Sequence, residues 1–367
     1  MAGGVGPFQF IWDGKHPSFK SPRSHCPEAQ QIEPSPLRLR ILLVYLSPSP
    51  FVLIDREILR RHFDVLEFRW SAYRHPARSF LISTVRNLPY DLTFAWFGDA
   101  HASFATRVAR VLRKPSVIVV GGYDVSDLPG YGYLSTPEGL RQAHRHFRQA
   151  TCVLPVSPTL EGELLRRFPE AVGKTMVLPT GVNGERFRPA GSREGRVLTV
   201  ASVTTQARAW VKGLDRVVQV ARLLPDLHFT LIGPAPEIVR RLAAPSNVLT
   251  KPSLPQDELI PEYQGASVIL QPSRFEGLPN VVMEAMACGC VPVVTRAGGM
   301  PDLVGDAGFV AGDAPQEVAD SVVRALNSPD KGGEARSRAL QHFSISEREK
   351  RLVATLKGLA ASGAFRA

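Results

Sequence analysis

Cysteine is scarce in this chain: Cys26, Cys152, Cys288 and Cys290 are the only four in 367 residues. So few, so scattered, exclude a disulfide framework, and Cys288-Gly-Cys290 lacks the two-residue spacer of a metal knuckle. These thiols are expected to be small buried side chains in a reducing cytoplasm. Long apolar runs are missing as well. Nothing approaches the ~18 residues that a membrane span requires. The N-terminal apolar cluster ends after Phe8 to Trp12 with Asp13, which is not the pattern of a secretory signal. No internal repeat of 20–50 residues is visible, which excludes solenoid and propeller architectures. Acidic residues fall short of basic ones, 34 against 44, for a formal charge of +10.

The excess charge is concentrated in the first half. Residues 1–189 hold 24 Lys/Arg against 16 Asp/Glu, a net of +8, and the remaining 178 hold 20 against 18, a net of +2. Such a half can attract an anionic partner, and Arg141, Arg145 and Arg148 recur at helical spacing beside His144. A solvated arginine-rich face accounts for the same pattern. The expected address is therefore cytoplasmic, with peripheral contact to an anionic inner membrane face as the added reading. No nucleic-acid partner is expected.

At this length two domains are expected. Residues 1–36 are rich in Pro, Ser and Gly and read as an irregular tail. From residue 37, short apolar runs alternate with helical periods. Strands are expected at 39–46, 65–68, 92–96, 116–120, 151–156 and 177–178. Helices are expected at 55–63, 102–112 (with Phe104, Val108 and Val111 on its apolar face), 137–149 and 159–168. The plan repeats with strands at 197–203, 229–232, 248–250, 268–270 and 291–294, and helices at 214–223, 281–288, 317–326 and 347–359. This predicts an α/β chain of two doubly wound, Rossmann-like domains at 37–188 and 189–343. A C-terminal helix, 344–367, is expected to return toward the first.

Residues 270–304 carry the chemistry: LQPSRFEGLPNVVMEAMACGCVPVVTRAGGMPDLV. A buried strand, a loop with Glu276-Gly277-Leu278-Pro279-Asn280, a helix and a second strand form one βαβ unit. Its loop lies at the carboxyl edge of the sheet, where open α/β sheets bind ligands. The helix start offers unpaired N–H groups and the positive end of the dipole, which suits a diphosphate, and Gly277 permits close backbone approach. Glu284 lies one turn into the helix, four residues after Asn280, where a carboxylate can accept both hydroxyls of a ribose.

Glu276, seven residues, then Glu284, set in Pro-Ser-x-x-Glu-Gly…Glu-Ala-Met-Ala-x-Gly-x-Pro-Val-Val, resembles the donor-site signature of family-4 (group 1) glycosyltransferases. That resemblance implies the GT-B architecture, two Rossmann-like domains facing across a cleft, and retaining transfer from a nucleotide diphosphate sugar to an acceptor hydroxyl. It implies that Glu284 holds the ribose, that Glu276 contacts the transferred sugar, and that Gly277, Leu278, Pro279 and Asn280 approach the phosphates or sugar. Lys212, in Lys212-Gly213-Leu214-Asp215, is the lysine implied to neutralise the diphosphate. Where the family commonly places an arginine, this chain has Ser202-Val203-Thr204, with Arg208 as a substitute. Gly298-Gly299 resembles the family's glycine pair, followed by Asp302 in place of Glu. No Asp-x-Asp occurs, so neither a metal nor a further cofactor is expected.

The first domain matches only in pattern. Its usual glycine-rich turn is replaced by Ser47-Pro48-Ser49-Pro50, and the family's histidine by Gly121-Gly122-Tyr123-Asp124. Asp124 is the expected substrate-positioning or catalytic acid, Tyr123 and Gly122 the acceptor-side contacts, and His101 a further cleft candidate. The acceptor class expected is a sugar or a lipid-linked hydroxyl. Two rivals share the fold: a sugar-nucleotide epimerase or phosphorylase, and a catalytically silent nucleotide-sugar scaffold.

Overall fold

The computed structural model describes residues 38–72, 74–86 and 89–361; the expected tail lies outside the described residues. The first domain runs β1 (Arg40–Tyr45), α1 (Pro50–His62), β2 (Asp64–Arg69), α2 (Pro76–Arg86), β3 (Leu92–Trp96), α3 (Ala100–Val111), β4 (Ser116–Val120), α4 (Pro137–Gln149), β5 (Cys152–Pro155) and α5 (Pro158–Arg167). All its pairings are parallel, in the order β2-β1-β3-β4-β5. β3, β4 and β5 are buried along their whole length, which is why they read as unbroken apolar runs. Right-handed crossovers place α1 on one face of the sheet and α2, α3 and α4 on the other.

The second domain opens with β6 (Val197–Val203), α6 (Gln206–Val211), α7 (Leu214–Leu223), β7 (Phe229–Pro234), α8 (Pro236–Leu242), β8 (Val248–Lys251) and α9 (Gln256–Gly265). It continues with β9 (Val268–Gln271), α10 (Asn280–Ala287), β10 (Val291–Thr295), α11 (Met300–Val304), β11 (Phe309–Ala311), α12 (Pro315–Leu326) and α13 (Lys331–His342). Its six parallel strands lie in the order β11-β10-β9-β6-β7-β8. This is the dinucleotide-fold order, with the winding reversing between β6 and β9. The last helix, α14 (Ile345–Ala361), crosses to the first domain, where Glu349 pairs with Arg61 at 2.7 Å.

Two local expectations fail. Residues 177–178 form no strand: a single bridge joins Thr175 to Val153, and the N–H groups of Met176 and Leu178 bond β5 carbonyls from an extended segment that ends at Pro179. On α3 the buried face is His101, Ala102, Ala105 and Ala109, while Val111 is 77% exposed. Small alanines let this helix sit close to the sheet, and Phe104 goes to the flank, edge-on to Phe80 at 5.6 Å.

Candidate functional site

Ligands of doubly wound sheets bind where the winding reverses, and in the second domain that point lies between the carboxyl ends of β6 and β9. Lys212 closes α6 on the β6 side and Glu276 sits in the loop after β9. Lys212 Nζ donates to Glu276 Oε1 at 2.6 Å, and Ser273 Oγ donates to the same oxygen at 2.9 Å. The corner beside Lys212 must be glycine. Gly213 has φ +69°, and a Cβ there would lie 2.0 Å from the Pro272 carbonyl oxygen. Arg274 pins the loop down: it binds Asp215 bidentately at 2.8 and 2.7 Å and stacks on Trp210 at 4.4 Å. Charge-assisted bonds of this kind hold a cation and a carboxylate in register before any substrate arrives.

Eight residues after Glu276, Glu284 is only 6% exposed and accepts from Gln256 Nε2 at 2.6 Å and Tyr263 Oη at 2.9 Å. Burial raises its pKa to about 7, against the lowering effect of those two bonds and of Arg186. Asn280 and Glu284 line one pocket of about 110 Å³ with Asn183, Arg186, Gln256 and Met283. Thr180 Oγ1 donates to Asn280 Oδ1 at 3.1 Å, tying the interdomain segment to the start of α10.

The first domain meets this loop at Gly121-Gly122. A Cβ on Gly277 would lie 2.0 Å from the Gly121 carbonyl oxygen, and one on Gly122 (φ +119°) 2.9 Å from the Gly277 nitrogen. Glycine on both sides is what allows the backbones to touch. Gly277→Ala is therefore expected to wedge the contact open and cut turnover at least ~10-fold, since an ~1 Å misplacement can cost more than that. Thermal unfolding and turnover of this variant, measured together, check it. Asp302 Oδ2 accepts from Thr159 N at 2.9 Å, closing a second contact at the start of α5.

Tyr123 is partly exposed and stands edge-on to Tyr131 at 5.3 Å. Burial raises the Tyr131 hydroxyl, with the Glu276 charge adding and Arg208 opposing, so residues of both domains share one electrostatic environment. Arg208 is exposed, and Ser202, also exposed, bonds Ser253 between hydroxyls at 2.7 Å.

Two expected cleft residues point elsewhere. Asp124 is fully buried and accepts from the backbone N–H groups of Gly98 at 3.0 Å, Gly121 at 3.2 Å and Gly122 at 2.8 Å. Its pKa rises to about 6 through burial, which those bonds oppose. With its oxygens occupied it holds the glycine turn and does not reach a substrate. His101 is likewise fully buried, its Nε2 2.6 Å from the Trp96 carbonyl oxygen and its Nδ1 against Asp99. It braces the turn after β3 and does not face the cleft.

The profile of the family described as Glycosyl transferases group 1 matches residues 195–328, the segment that carries the Lys212–Glu276 pair and Glu284. An MMP alpha-(1→4)-mannosyltransferase from Mycolicibacterium hassiacum is 31% identical over 214 residues, 54% of this chain and 51% of that protein. Over residues 195–328 the chain is similar to the group 1 glycosyl transferases. A D-inositol 3-phosphate glycosyltransferase from Segniliparus rotundus is 28% identical over 193 residues, 46% of this chain and 43% of that one. The chain spans about half the length of the curated relatives it matches. Among solved structures, sucrose-phosphate synthase from Thermosynechococcus elongatus superposes with a TM-score of 0.75 at 17% identity, over 89% of this chain and 100% of that one. Anabaena HepE in complex with UDP-glucose gives 0.70 at 18% identity, over 87% and 100%. The fold is GT-B.

The partners of Glu284 leave little trace in the sequence. Gln256 and Tyr263 lie on α9, whose internal Pro261 obscures the helical pattern. Ser273 carried a signal in Pro-Ser-x-x-Glu, where the three-residue step to Glu276 allows its hydroxyl to turn back onto the carboxylate.

Proposed function

We propose that this chain is a group 1 glycosyl transferase, a retaining, metal-independent enzyme that moves a sugar from a nucleotide diphosphate sugar to an acceptor hydroxyl. The observation that carries the reading is the Lys212–Glu276 pair at the reversal point of the second sheet. Lys212 is the cation for a diphosphate leaving group, in the role a divalent ion fills elsewhere, and the start of α10 adds its dipole. Glu276, freed from Lys212 by the incoming diphosphate, accepts hydroxyls of the transferred sugar. Glu284 accepts the ribose hydroxyls. HepE was solved with UDP-glucose, which makes UDP-sugars the first donors to try. Tyr123 supplies an acceptor-side surface, and a sugar or lipid-linked hydroxyl is the acceptor class. Retention rests on the group resemblance alone, and a front-face mechanism needs no dedicated protein nucleophile.

The test is a panel of UDP-, GDP- and ADP-sugars with sugar and lipid-linked acceptors, read as nucleoside diphosphate release and product anomer. The expected result is acceptor-dependent release with one donor and retention of its anomeric configuration. Conversion of a donor without acceptor would point to an epimerase. Binding without release would favour a silent scaffold, a reading supported by the inward turn of Asp124 and His101.

A pH effect follows from Glu284. Below about pH 7 the buried group is protonated and loses an acceptor, so donor affinity should fall with pH by up to ~10-fold per unit. Titrations at several pH values should show this step in the parent and a flat profile in Glu284→Gln.

A further inference from the structure

The outer surface of the layer α2–α3–α4 takes no part in the site above. Neither α2 nor α3 contains an aspartate or glutamate, and Glu138 is the single acid of α4. Arg78 on α2, Arg107 and Arg110 on α3, and Arg141, Arg145 and Arg148 on α4 are all exposed. Arg141 is paired with Glu138 at 2.6 Å, and the other five have no ion-pair partner among the described residues. The three helices lie side by side on one face of the sheet: Phe80 of α2 packs on Phe104 of α3, and Ser103 of α3 bonds His146 of α4 at 2.7 Å. From helix dimensions the layer is about 30 Å wide and about 18 Å long.

Between the arginines stand aliphatic side chains turned to solvent. Leu81 and Ile82 of α2 are 46% and 43% exposed, Val111 of α3 77%, and Leu140 of α4 41%. On α2, Arg78, Leu81 and Ile82 form one stripe at spacings of three and four; on α3, Arg107 and Val111 do the same. We propose that this face docks on an anionic lipid surface, the arginines meeting headgroup phosphates and the aliphatic side chains entering the boundary beneath them.

Charge complementarity requires a polyanion, and the aliphatic side chains decide which. A bilayer interface rewards basic and aliphatic residues on one helical face. A nucleic-acid surface gains nothing from exposed leucine and isoleucine, and single-strand sites use aromatic platforms, of which this face offers none among its exposed residues. The docking would also be productive in orientation. α3 starts from the carboxyl end of β3 and α4 follows the turn after β4, the sheet edge that bears Gly121, Gly122 and Tyr123. The inference does not depend on the transfer chemistry.

The test is co-sedimentation of the full chain with phosphatidylglycerol/phosphatidylcholine vesicles and with phosphatidylcholine alone. Binding is expected only to the anionic vesicles, falling steeply with added salt. Arg107→Gln/Arg110→Gln/Arg145→Gln should weaken it roughly 100-fold, at about one arginine's surface attraction each. Leu81→Ser/Val111→Ser, which keeps every charge, should weaken it at least several-fold. All five substitutions are on the surface, and unchanged thermal unfolding checks that they leave the fold intact. Equal binding to both vesicle types, or undiminished binding of the arginine variant, overturns the proposal. So does a serine variant that binds like the parent while duplex DNA displaces both, since that marks a general polyanion surface.

Discussion

Lys212→Ala is expected to lower kcat by ~10²–10³, the loss typical when one preorganised electrostatic group is removed from a developing anion. In the proposed transfer, charge accumulates on the diphosphate as the glycosidic bond breaks, so a cation beside it would stabilise the transition state more than the ground state. The substitution also leaves the Glu276 carboxylate with Ser273 alone, and an uncompensated carboxylate repels the donor diphosphate. Donor affinity should therefore fall with kcat. The fold should hold: the lysine side chain is 24% exposed and caps α6 through its backbone. Steady-state kinetics beside a thermal melt check both parts. Unchanged turnover would remove Lys212 from the mechanism.

The largest effect on stability is expected at Arg348, in α14. Its guanidinium is buried and binds Asp55 of α1 bidentately, Nε to Oδ1 and Nη2 to Oδ2, both at 2.6 Å. Nη1 donates to the carbonyls of Leu178 at 3.0 Å and Pro179 at 2.6 Å, and Trp96 Nε1 donates to Asp55 Oδ2 at 2.8 Å. One side chain thus joins the last helix, the first helix and the interdomain segment. Arg348→Met removes the cation and leaves a buried carboxylate and two carbonyls without it, at a cost of ~3–5 kcal/mol. Asp55→Leu/Arg348→Met removes both charges and should recover much of that loss. Urea unfolding measures both; a single variant within ~0.5 kcal/mol of the parent would show the pair to be peripheral.

The strands were legible because a parallel sheet covered on both faces writes itself as unbroken apolar runs, as in Ser116–Val120. Several helices absent from the sequence expectation have a broken or short pattern, although α2, with 11 unbroken residues, does not. α9 contains Pro261, α13 carries Gly332-Gly333 in its first turn, and α11 has only five residues. Gly332 is there because a Cβ would meet the Gly289 carbonyl oxygen at 2.3 Å, a tertiary reason with no local trace. In the site, the second-domain residues could be named because loop and helix are contiguous in sequence. Asp124 and His101 were misread for the opposite reason. Position after a strand end indicates nearness to a cleft, but the direction of a side chain depends on distant partners. For Asp124 one of these is Gly98, 26 residues away.

The role proposed for the Lys212–Glu276 crevice is to take the diphosphate of a nucleotide sugar. Calorimetric titration of UDP, GDP and ADP into the parent and Lys212→Ala tests it most directly. The account predicts that at least one nucleoside diphosphate binds the parent, and that the variant binds it at least ~10-fold more weakly, the worth of one charge-assisted contact. Equal affinity in the two proteins, or no binding of any of the three to the parent, would contradict it.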